Sequence, residues 1–178
     1  NDRNDNPSAG QPITYIDPPF QYTDVYDPAA HPPGDGVYKS GYDTLAVWAG
    51  AKNIMTVGAV QDAVQYSARD KYTGRMRLFS SWGPTDDGRI KPDIVANGHA
   101  VYSCDDVATD AYYESDGTSM SSPNAAGSAI LLQEFFGDRS SGGALRSSTL
   151  KALIIHTADD LGRPGPDYAY GWGLMNTQ

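Results

Sequence analysis

Polar and apolar positions divide this chain near residue 44. Before that point prolines and glycines recur among polar residues, in Asp17-Pro18-Pro19, Asp27-Pro28, His31-Pro32-Pro33-Gly34 and Asp35-Gly36. Each residue before a proline is pushed out of the helical region and each glycine permits a turn, so the pattern predicts an irregular segment. A loop of that length in a compact domain implies an insertion, taken here as 2–44, or a functional rim. Tyr15, Phe20, Tyr22 and Tyr26 either peg it to the body or line a groove. Residues 45–176 read instead as a core of sheet and helices. Ile54 to Val57 is short, nearly apolar and rich in β-branched residues, as a strand covered on both faces should be. Met76 to Phe79, the run after Lys91-Pro92-Asp93, and Val101 to Cys104 are further short strands, and Tyr112 and Tyr113 fall in a loop between acidic residues.

Two helices follow. Ser119 to Phe136 carries Ala125, Ala126, Ala129, Ile130 and Leu131, a small and apolar series expected of a central helix packed on a sheet. Gly127 weakens helix propensity and so implies close approach of a neighbour, while Pro123 suits only an early turn. A second helix is capped by Ser148 or Thr149 and has Leu150, Leu153, Ile154 and Thr157 at helical spacing. Tyr170 to Met175 reads as a compact turn with aromatic packing. Short buried strands followed by longer helices predict a layered α/β domain with a largely parallel sheet.

Composition narrows the chemistry. The 178 residues suffice for a sizeable core, and a formal net charge of −9 with no basic stripe argues against a nucleic-acid partner. No apolar run approaches the length of a membrane span. Cys104 is the only cysteine, which rules out a disulfide within the chain and a thiolate zinc site.

The join at Asp116-Gly117-Thr118-Ser119-Met120 sets a serine on a turn directly before the long helix. At a helix start the backbone N–H groups lack intrahelical partners and can face developing negative charge. The same residues also suit a plain loop and helix cap. A serine nucleophile needs a base, and His31, His99 and His156 have no local pattern that marks any of them as one.

Gly117-Thr118-Ser119-Met120-Ser121-Ser122-Pro123 closely resembles the nucleophile motif of subtilisin-like serine peptidases, Gly-Thr-Ser-Met-Ala-x-Pro. Ala51 to Val60, Phe79-Ser80-Ser81-Trp82-Gly83-Pro84, Lys91 to Ala96, Thr157-Ala158-Asp159 and Tyr170 to Asn176 resemble further family blocks in the same order. The resemblance implies a three-layer α/β sandwich and a serine endopeptidase in which Ser119 is the nucleophile and its N–H one oxyanion donor. Gly117 and Thr118 flank it as substrate-binding positions. Ser121 departs from the family's alanine by one hydroxyl, which needs a partner. The family's second oxyanion donor is an asparagine after Ala-Gly, and Asn1 is assigned to it. Loss of that donor in subtilisin costs about 2.7–4 kcal/mol of transition-state stabilisation.

In the family the aspartate and histidine precede that asparagine. The chain is therefore expected to be the C-terminal portion of one catalytic domain, spanning 1–178, inactive alone and completed by an upstream segment carrying Asp and His. An inert subtilisin-like binding or structural module is the alternative. The resemblance further implies secretion and structural calcium, with Asp86, Asp87, Asp105, Asp106, Asp159 and Asp160 as the acidic loop candidates.

Overall fold

A computed structural model describes residues 12–17 and 20–25 as backbone, together with 42, 44–140 and 142–178. Within the first segment, β1 (Pro12–Asp17) and β2 (Phe20–Val25) pair antiparallel from Pro12↔Val25 to Asp17↔Phe20. This replaces the irregular backbone expected there. Isoleucine, threonine and tyrosine in β1 and phenylalanine, tyrosine, threonine and valine in β2 favour an extended chain, and that preference prevails over the surrounding prolines.

The centre of the fold is a parallel pair, β3 (Val57–Val60) and β6 (Ile94–Asn97), in register Val57↔Ile94 through Val60↔Asn97. Between them, β4 (Val64–Gln65) and β5 (Ala68–Arg69) form a short antiparallel hairpin. After them, β7 (Val101–Cys104) pairs antiparallel with β8 (Tyr112–Ser115). Helix α1 spans Thr118–Arg139 and α2 Ser147–Thr157. The described sheets are thus mixed: β3 and β6 are the one parallel pair, and Tyr112 and Tyr113 belong to a strand rather than a loop.

Several boundaries differ from the sequence expectation for identifiable reasons. The strand expected over Ile54–Val57 begins only at Val57. Ile54's carbonyl accepts from Lys91 Nζ at 3.2 Å and Lys151 Nζ at 2.6 Å, and Thr56 N–H donates to Asp93 Oδ2 at 2.7 Å. Those groups are engaged by side chains and so cannot join a strand ladder. The Met76–Phe79 strand reduces to one bridge, Val60↔Met76, with Leu78 out in solvent. Helix α2 starts at Ser147 without a side-chain cap. Its approach is fixed instead by Gln133 of α1, whose amide both accepts from Leu145 N–H (2.9 Å) and donates to the Leu145 carbonyl (3.0 Å).

Two apolar clusters hold these elements. Ile94, Ala96, Ala125, Ile154 and Met175 pack between the parallel pair and both helices, and Val60, Ala63, Val95 and Leu174 pack on the opposite side. The turn from Tyr170 closes the far edge of β6, where Val95 N–H donates to the Gly173 carbonyl and Met175 N–H to the Val95 carbonyl. Beneath the first cluster lies an ionic group. Asp93 is 6% exposed and Lys91 2%, with their charged atoms 2.5 Å apart, and Lys151 Nζ adds a second pairing to Asp93 at 2.8 Å. Burial pushes the Lys91 ammonium below its usual pKa, against the opposing pull of Asp93.

Only one side of α1 is covered. Ser121 and Ala125 are buried, whereas Ala126, Ile130, Leu131 and Phe135 are exposed. A Cβ at Gly127 would meet nothing within 4 Å, so the close neighbour expected there is absent among the described residues.

Candidate active site

The parallel pair delivers the chain to the site. At its C-terminal end, Gly98 N–H donates to the Val60 carbonyl, which ties the turn after β6 to the end of β3. Gly98 must be glycine, since a Cβ there would stand 2.6 Å from the Gly117 carbonyl oxygen and 2.8 Å from Ala59 Cβ. The chain then leaves through β7, returns through β8 and arrives at Gly117, whose N–H donates to the Gly98 carbonyl at 2.8 Å. Gly117 has φ 153° and ψ 162°, a conformation open to glycine and strained for other residues. Its carbonyl accepts from the N–H groups of Met120 and Ser121, which starts α1.

Ser119 is exposed on the first turn of that helix. Among the described residues no hydrogen bond engages Ser119 Oγ or the N–H groups of Thr118 and Ser119. Pro123 lies within the helix and has no N–H, so the Ser119 carbonyl lacks its usual donor four residues on. Ser121 is fully buried, and its extra hydroxyl does find a partner, donating to the Thr118 carbonyl at 3.1 Å. Gly117 is the cap residue of α1 and Thr118 its first residue, directly before Ser119. Asn1 and His31 lie outside the described residues.

The remaining histidines sit differently. His156 is in the last turn of α2. His99 belongs to the turn that holds Gly117, and its Nδ1 lies 2.7 Å from Asp116 Oδ1. The same oxygen accepts from Ala100 N–H at 2.6 Å. That backbone bond, followed by the His99 side chain, holds the Asp116 carboxyl below the usual carboxylate range against partial burial. No local pattern marks His99, because its partner is seventeen positions away, just beyond the end of another strand. No short motif carries such a pairing.

Of the six candidate calcium acids, Asp87, Asp105, Asp159 and Asp160 have their carboxylates engaged by other groups of the protein. Asp87 accepts from Thr85 Oγ1 and Arg89 Nε, Asp159 is paired with Arg69 at 2.6 Å, Asp105 accepts from Asp106 N–H, and Asp160 accepts from Gly165 N–H. Among the described residues no three His, Cys, Asp or Glu side chains gather as a metal ion would require. No helix there is long and apolar enough to cross a membrane.

Comparison with known proteins matches this arrangement to one family. The signature of the Subtilase family covers residues 25–173. C5a peptidase of Streptococcus pyogenes is 50% identical over 60 residues, 34% of this chain and 5% of that protein. The serine protease/ABC transporter B family protein tagD of Dictyostelium discoideum is 37% identical over 103 residues, covering 45% of this chain and 6% of its own length. Among solved structures, the Clostridium perfringens CspB protease superposes with a TM-score of 0.62 at 25% identity, over 76% of this chain and 28% of that one. The patellamide maturation protease PatA shares the fold, with a TM-score of 0.59 at 24% identity over 77% and 45% of the two chains. The chain thus spans about a twentieth of the curated relatives and under half of the solved proteases it matches. With a family signature over most of its length and ordered motifs around an exposed Ser119, the chain belongs to the subtilase family of serine peptidases.

Proposed function

We propose that this chain is the C-terminal portion of a subtilisin-like serine endopeptidase domain with Ser119 as its nucleophile. The carrying observation is the exposed Ser119 on the first helical turn, its hydroxyl and adjoining N–H groups open among the described residues. Ser119 Oγ attacks the scissile carbonyl while a histidine of an upstream segment takes its proton. The resulting oxyanion receives the Ser119 N–H and the Asn1 side-chain amide. Collapse expels the amine, which takes the proton from the histidine, and water then hydrolyses the acyl-enzyme. Gly117 and Thr118 border the bound peptide.

The need for an upstream segment is supported by what the described residues leave open. β3 pairs with β6 along one edge; its other edge is met at the C-terminal end by the Val60↔Met76 bridge, and at Val57 no described strand lies against it. Beside that edge run two clefts. One, of about 580 Å³, lies between α1, α2 and residues 52–57, and the other, of about 340 Å³, lies between the Val47–Gly50 turn, β3 and Thr118. Parallel sheets are normally covered on both faces and seldom stop at two strands. A companion segment that adds strands at β3 would complete a largely parallel, three-layer sheet and bring Asp and His to Ser119. The same reading places the mature enzyme outside the cell, as most subtilisin-like peptidases are, and fractionation of the source cells checks this.

The test is reconstitution. The chain alone should be inactive, since loss of the histidine costs subtilisin about a million-fold in turnover. With the upstream segment, a serine-directed phosphonate should label Ser119, and Ser119→Ala should abolish both labelling and peptide cleavage. Asn1→Ala should lower kcat about 100- to 1,000-fold. Full activity from the chain alone, or an unlabelled Ser119 in the joined domain, defeats the reading.

A further inference from the structure

Helix α1 begins without a side-chain cap, because Gly117 occupies the cap position. A capping side chain ordinarily satisfies an N–H of the first turn and fixes how the chain enters the helix. At this site such a cap would occupy the N–H groups that an oxyanion needs. The turn is secured from outside instead. Asp116 Oδ1 accepts from Ala100 N–H at 2.6 Å and from His99 Nδ1 at 2.7 Å, and Gly117 N–H donates to the Gly98 carbonyl at 2.8 Å. Three bonds therefore fasten residues 116–117 to residues 98–100. The receiving turn is itself anchored, through Gly98 N–H on the Val60 carbonyl and His99 N–H on Asn97 Oδ1.

We propose that Asp116 and His99 are positioning residues, which hold Ser119 in its attacking geometry by clamping the turn that precedes it. The proposal rests on the reading of Ser119 as nucleophile. Both residues act through Gly117, whose carbonyl receives the first two N–H bonds of α1 from Met120 and Ser121. An imidazole can donate from Nδ1 either as the neutral Nδ1–H tautomer or as the cation, so the clamp does not require a charged His99. The charges around it are Arg77, which favours the Asp116 carboxylate, and Glu114, which lines the same open cleft of about 330 Å³. With Asp116 held below the usual carboxylate range, the clamp stays closed through neutral and mildly acid solution. It opens only as the pH falls through that depressed value, when the protonated carboxyl loses its charge-assisted bonds.

In the joined catalytic domain, Asp116→Ala should lower kcat about 10- to 100-fold with KM within about twofold, as expected for a displaced nucleophile. Asp116→Asn keeps an acceptor for Ala100 N–H and should recover kcat to within about fivefold of the parent. His99→Phe should lower kcat less than Asp116→Ala, and should add little when both are combined, because the two share one clamp. Independently of activity, amide hydrogen exchange at Met120 and Ser121 should quicken about tenfold in Asp116→Ala and stay near the parent rate in Asp116→Asn. Unchanged exchange and kcat in Asp116→Ala overturn the clamp. So does faster exchange spread evenly over the domain, which marks general destabilisation. If Ser119→Ala retains full activity, the nucleophile reading fails, and the exchange measurement alone then decides whether the clamp orders the turn.

Discussion

At the scale of single residues, most of the decisive contacts are made by carboxylates. Asp87 accepts from Arg89 Nε at 2.8 Å and from Thr85 Oγ1 at 2.6 Å, and Arg89 in turn reaches the Gly50 carbonyl. These bonds, Arg89 first, lower its pKa to about 2. A depressed carboxylate stabilises the fold above its ordinary pKa and loses that contribution as the pH falls through the folded value. The loop at 85–89 should therefore hold at pH 4 and loosen between about pH 4 and pH 2, as carbon-detected titration of Asp87 will show; an ordinary midpoint would refute the pairing. Asp93 is a harsher case. Removing it by Asp93→Ala leaves Lys91 buried without its counter-ion, and unfolding in denaturant should show a loss of about 3–5 kcal/mol. Sequence reading recognised Lys91-Pro92-Asp93 as a motif but not this role. Lys151, the other partner of Asp93, comes from α2, and nothing in either local pattern refers to the other.

At the scale of elements, local patterns found the helices but did not say which side of each is covered. Helix α1 was legible in its run of small and apolar residues, yet its centre contributes Ala125 to the core while Ile130 and Leu131 face outward. A small, apolar series along a helix cannot tell a side packed now from a side awaiting another element. Helix α2 was legible in its spacing, and its buried contact is Ile154, packed between the parallel pair and the helices. Ile154→Ala should cost about 2–5 kcal/mol by calorimetry, toward the lower end if the neighbouring 580 Å³ cleft lets the site collapse. An effect below about 1 kcal/mol would mean that α2 does not anchor this cluster. Strand β3 starts three residues later than its apolar run because lysines and an aspartate claim the backbone groups at Ile54 and Thr56.

At the scale of the whole molecule, a β3 edge bridged only at its C-terminal end among the described residues, two clefts beside it and an apolar outer face on α1 describe surface that folding of these residues leaves unsatisfied. Ile130, Leu131 and Phe135 are 68%, 61% and 56% exposed, which makes a patch of the kind that marks an interface. The chain alone should therefore bind a hydrophobic dye, and adding the upstream segment should suppress that binding and raise Tm by several degrees. Dye binding and Tm that do not respond to the segment would count against a shared domain.

Sequence by itself determined the family and the join of turn and helix that presents Ser119. Those properties reside in contiguous residues, where a glycine's backbone freedom, a serine and a helix start must lie side by side in the chain. The tertiary structure decided what holds that join: Asp116 against His99 and Ala100, Gly117 against Gly98, and Asp93 between two lysines. Each of these pairings is set by how the strands cross and return, so it leaves no periodic trace in the order of residues. Hydrophobic patterning records that a position is to be buried, and only the packed chain records against what.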